Sequence, residues 1–110
     1  MTEVVELRLP ERLDSRSAPE FERSALALVV AGAKLLVRAD DVVYMSAAGI
    51  RTLVRLSRGA IARGASMAMT GFGKAASDCL DASGFAGVLP IFESLDEARH
   101  AAVSGRARPS

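Results

Sequence analysis

A small α/β fold, with helices packed on a mostly parallel mixed β-sheet of about four strands and four helices, is the architecture this chain predicts. Three observations point to it. Short apolar runs with strand character alternate with longer runs of helical periodicity. Each strand-plus-helix unit takes roughly 25 residues, which fits βαβ units with right-handed crossovers. Glycines and capping-type serines fall at the junctions between them.

The elements follow in order. Val4 to Leu9 alternates Val5, Leu7 and Leu9 with Glu6 and Arg8, as an edge strand with one wetter face would. Pro10 to Arg16 reads as a turn. Ser17-Ala-Pro-Glu20 has capping-box spacing with proline in the first helical turn, and predicts a helix running to about Ala31, closed by Gly32. Leu35 to Val37 suits a buried central strand, and Asp40-Asp41 a turn; Val42 to Tyr44 leads into the next element. From Ala47, the residues Ile50, Leu53, Val54, Ser57 and Ile61 share one helical face, and Gly64 stops that helix. Met67 to Met69 is a third strand, Lys74 to Ala82 a short helix ended by Gly84, and Val88 to Phe92 a fourth strand. Ser94-Leu-Asp-Glu97 repeats the capping-box spacing and opens a last helix through about Val103. Residues 1–103 therefore form one domain, and Ser104 to Ser110 a disordered tail.

Composition bounds the function. Half the 110 residues are hydrophobic and a quarter charged, which suits a compact domain that folds without staples. Fourteen basic and thirteen acidic side chains nearly cancel, so the whole molecule has no net field to draw it to nucleic acid or an anionic membrane, and partners must be chosen by local surface. One cysteine, Cys79, and one histidine, His100, provide neither a disulfide framework nor a zinc set, which fits a reducing cytoplasm. The N-terminus carries Glu3 and Glu6 where a signal peptide needs basic residues. The longest apolar stretch, Ala25 to Ala33, is about half the ~20 residues a membrane span requires.

No catalytic or cofactor-binding constellation is indicated. Thr70-Gly-Phe-Gly-Lys74 with Ser77 lacks P-loop spacing and reads as a strand-to-helix turn. His100 lies among Ala and Arg with no acidic partner, and Cys79 beside Leu80 reads as a small core residue. Asp40-Asp41 is accounted for by a turn and Asp96-Glu97 by a capping box, neither in an apolar setting that would raise a carboxyl pKa.

The segment Val42-Val-Tyr-Met-Ser-Ala-Ala-Gly-Ile-Arg-Thr-Leu-Val54 resembles the signature of the STAS family of anti-sigma factor antagonists, in which an apolar strand ends at Asp-Ser-Ser-Gly-Leu or Ser-Ser-Ala-Gly-Leu and a helix begins. Arg12 to Glu20 is similar to the family's early Leu-Asp…Ala-Pro segment, and Leu80 to Phe85 with Leu89 to Phe92 to its C-terminal third. The resemblance implies a STAS-like fold and a non-enzymatic, protein-binding role for this chain, with an anti-sigma factor that is also a serine kinase of the histidine-kinase-like ATPase type as its partner. In such pairs the unphosphorylated antagonist binds the kinase and frees a sigma factor, while phosphorylation of a serine at the helix start breaks the complex. Aligned on Gly49, the family's acceptor position is Ala47, which has no hydroxyl, and Ser46 stands one residue early, where an N-cap belongs, with a shifted phosphorylation site at Ser46 the minor alternative. The expected docking surface comprises Ser46, Ala47, Ala48, Gly49 and Ile50 with the stripe Arg51, Arg55 and Arg58 at i, i+4 and i+7. A structural subunit docking on a transporter ATPase or other scaffold is the alternative, since Ala47 suits binding without phosphorylation.

Overall fold

In the computed structural model, which describes residues 3–105, the elements are β1 (Val4–Arg8), β2 (Arg12–Leu13), α1 (Ala18–Leu26), β3 (Lys34–Arg38), β4 (Tyr44–Met45), α2 (Ala47–Ala62), β5 (Ser66–Thr70), α3 (Lys74–Ser83), a 3-10 turn (Ala86–Val88), β6 (Ile91–Phe92) and α4 (Leu95–Ser104). The main sheet has the order β1-β3-β5-β6, and β2 and β4 form a separate two-stranded sheet. Among the described residues every strand pairing is parallel. β1 is an edge, as its alternation predicts.

The period of two in the central strands divides the core in two. Leu35, Val37, Met67 and Met69 lie in the larger cluster with Ala25, Ile50, Leu53, Leu56, Ala76 and Leu80 from α1, α2 and α3. Leu36 and Ala68, on the alternate positions, meet Ala98, Ala101 and Ala102 of α4. Both faces of β3 and β5 are thus covered, which is why each reads as a continuous apolar run.

The structure corrects several expectations. α1 stops at Leu26, not Ala31, because the chain turns there to plug Val29 into the core. Ser17 does not cap α1: its backbone is already helical. The cap lies three residues earlier, where Asp14 Oδ1 accepts from the amides of Arg16 and Ser17 and the Ser17 hydroxyl accepts from the amide of Asp14. The reciprocal pairing of a capping box is present, but a carboxylate holds the first position. These amide donors also hold the Asp14 carboxyl below its ordinary pKa. Ile61 is exposed, and α2 buries Thr52, Leu56 and Ala60 instead, because the helix is enclosed on a wide arc. The fourth strand is only Ile91–Phe92; Ala86–Val88 forms a 3-10 turn. Ser104 ends α4 and Gly105 caps it at φ 77°, so the expected tail begins inside a helix, and its remainder lies outside the described residues. The Ser94 cap is realised, its hydroxyl accepting from the amide of Glu97.

Candidate functional site

The loop from β4 into α2 is built by β2. Arg12 and Leu13 pair with Tyr44 and Met45, the amide of Val43 donates to the carbonyl of Glu11 at 2.7 Å, and that of Ser46 donates to Leu13 at 3.0 Å. Met45 turns inward to the core, so Tyr44 turns outward. Val43 and Tyr44 are 59% and 40% exposed, and the Arg12 guanidinium stacks on the Tyr44 ring, 4.7 Å from its centroid. An apolar, cation-edged surface therefore precedes the helix. Val42 to Tyr44 read in sequence only as a connector; the overlooked signal was two bulky apolar residues immediately ahead of a capping serine.

Ser46 is extended, and its Oγ accepts from the amide of Gly49 at 3.2 Å while its carbonyl accepts from the amide of Ile50. The hydroxyl is thus occupied in capping α2. Ala47 follows with its methyl exposed, and Ala48 is half-buried. Gly49 and Ile50, both expected on the docking surface, are buried. A Cβ on Gly49 would run into the carbonyl oxygen of Leu13, and Ile50 belongs to the main core. Their part is to seat the first turn of α2 against β2 and so fix what Ala47 presents.

Arg51, Arg55 and Arg58 all lie on the exposed side of α2. Arg55 forms a forked pair with Glu22 of α1 at 2.9 and 3.0 Å and also donates to Thr52 Oγ1 at 3.0 Å. This bond holds the Glu22 carboxyl below its ordinary pKa and raises that of Arg55. Arg51 and Arg58 have no ion-pair partner among the described residues. A groove of about 180 Å³ runs between the starts of α1 and α2, with Ser15, Pro19, Ala48, Arg51, Thr52 and Arg55 on its walls.

The remaining candidates lie apart from this loop. Asp40 is bound by Nε and Nη2 of Arg38 and Asp41 by Arg8, and the Arg38 bond depresses the Asp40 pKa. His100 is exposed on α4, and Cys79 is half-buried on α3. No three metal-ligating side chains converge among the described residues. None of the helices in that range is long and apolar enough to cross a membrane.

A family model for the STAS domain matches residues 2–98. No curated protein matches the chain. Among solved structures, a sulfate transporter family protein from Wolinella succinogenes superposes with a TM-score of 0.74 over 90% of this chain and 84% of that one, at 19% identity. At that identity the likeness is one of fold.

Proposed function

This chain belongs to the STAS domain family, whose members are protein-interaction domains, and from that premise we propose that it docks a regulatory protein through the loop and exposed helix flank at Val43, Tyr44, Ser46, Ala47, Ala48, Arg51 and Arg58. The partner is an anti-sigma factor with serine-kinase activity, of the histidine-kinase-like ATPase type, held in the manner of an anti-sigma factor antagonist in the cytoplasm. The observation that supports this reading most is the exposed methyl of Ala47, preceded in the chain by exposed Val43 and Tyr44 and followed by exposed Arg51, which has no ion-pair partner among the described residues. An apolar centre edged by arginine is the composition of a docking patch.

Phosphorylation does not switch this surface. Ala47 has no acceptor, and Ser46 uses its hydroxyl within the helix cap. Control then rests on abundance or on a competing partner. The same absence favours a second reading, a STAS subunit docked constitutively on a transporter, the class to which the Wolinella succinogenes protein is assigned.

Affinity purification from the native host identifies the partner and separates the two readings. With that partner in hand, Ala47→Glu is the direct test. An acidic residue in the first turn of a helix is favourable by about 0.3–1 kcal/mol, so the melting temperature should hold or rise while affinity falls. Arg51→Glu should also weaken binding. The wild-type chain incubated with kinase and ATP should take up no phosphate. Wild-type affinity in both variants by titration calorimetry, with unchanged melting, would remove this surface as the interface.

A further inference from the structure

A second exposed apolar cluster lies at the far end of α2, about 24 Å from Ser46 by the rise of sixteen helical residues. Beyond Leu26 the chain turns with the amide of Leu28 on the carbonyl of Ala25, that of Val29 on Leu26, and that of Val30 on Leu28. Val29 is buried, and its neighbours Leu28 and Val30 are left 38% and 58% exposed. The end of α2 is fastened alongside: Arg63 Nη1 donates to the carbonyl of Val29, and the amide of Gly32 donates to the carbonyl of Gly64. This places Ile61, 43% exposed, in the same region.

The charge here is mostly positive, with Glu3, next to the Lys34 register partner Val4, the acidic exception. Residues 23–34 contain no Asp or Glu, nor do residues 42–77. Arg23, Lys34, Arg58 and Arg63 belong to these stretches, and among the described residues none of the four forms an ion pair. The near-zero net charge of the chain therefore conceals a cationic end. Arg23 in the last turn of α1 and Arg63 at the C-cap of α2 also offset the negative poles of those two helices.

We propose that this end, with Leu28, Val30 and Ile61 exposed beside the cationic side chains of Arg23, Arg58 and Arg63, docks peripherally on an anionic phospholipid surface. A protein partner draws its affinity from anchors seated in pockets, and the four grooves that run from Leu7 to Ser24, from Ser15 to Arg55, from Phe72 to Ile91 and from Phe92 to Ala101 do not include these residues. A bilayer interface asks only for apolar side chains that project and cations that meet anionic headgroups. This end shares only Arg58 with the Ser46 surface.

Co-sedimentation of the purified chain with phosphatidylcholine vesicles, with and without phosphatidylglycerol, tests it. Binding should be at least about tenfold stronger to the anionic vesicles and should fall as salt is raised. Val30→Asp and Ile61→Asp should abolish binding, and so should Arg23→Glu combined with Arg58→Glu. All these side chains are exposed, so thermal melts should stay near wild type. Equal, negligible sedimentation with both vesicles overturns the proposal, as does wild-type binding by the folded variants. A concentration-dependent dimer in sedimentation equilibrium, broken by Val30→Asp and without lipid binding, also overturns it and assigns the patch to self-association.

Discussion

Ser46 and Ala47 divide between them what a single phosphorylatable loop would combine. The Ser46 hydroxyl is committed to the Gly49 amide, so Ser46→Ala should cost about 1 kcal/mol in a thermal or urea melt and leave the fold intact. Negligible destabilisation accompanied by loss of partner binding would show that the hydroxyl serves the interface instead. Serine ahead of an apolar helical run was legible as a cap from sequence alone, because capping depends on local spacing. The burial of Gly49 and Ile50 was not, because it depends on Leu13, thirty-six residues before Gly49, lying directly beneath the helix.

Helix α2 contains two glycines with opposite requirements. At Gly49 a Cβ would meet the Leu13 carbonyl and stand 2.9 Å from its side chain, whereas at Gly59 nothing lies within 4 Å. Gly49→Ala should therefore destabilise by about 2–3 kcal/mol through overpacking. Gly59→Ala should stabilise by about 0.5–1 kcal/mol, since glycine is costly inside a helix and this one has no packing role. Parallel denaturant titrations of the two variants check both signs. At this scale the strands and helices that own their apolar periodicity were readable: β1, β3, β5, α2, α3 and α4. The elements that escaped are those whose existence depends on a distant partner. Two-residue β2 and β4 have no period to show and exist by pairing with each other. Val29 and Val30 continue an apolar run that looks helical, yet α1 ends before them because the core accepts Val29 and the side chain of Arg63 holds its carbonyl.

Across the whole molecule, ion pairs join elements far apart in sequence. Glu22 is held by Arg55 and Glu6 by Arg38 and Arg99, while Asp40 is held locally by Arg38 two residues before it, and each of these carboxyls has its pKa lowered chiefly by those hydrogen bonds. A carboxyl with a depressed folded pKa binds its proton less readily folded than unfolded. Its stabilisation is complete above the ordinary carboxylate range and is lost as pH falls through the folded value. The melting temperature should thus be level from neutral pH to about pH 5 and decline below it. Glu22→Gln should shallow that acid limb modestly, as befits a pair with one exposed partner; an unchanged limb in circular dichroism melts would deny the Arg55 pair any such role. The parallel layered architecture was legible because strand and helix periods alternate at βαβ spacing, while the segregation of charge to the far end of α2 needed the fold. The parallel pairings carry one further consequence, for synthesis on the ribosome. With no local hairpin to form first, β2 must wait for β4 to emerge about thirty residues later before the Ser46 loop has its floor. An incomplete nascent chain cannot present the docking loop, so partner capture itself reports that translation has passed this point and the chain has closed on itself.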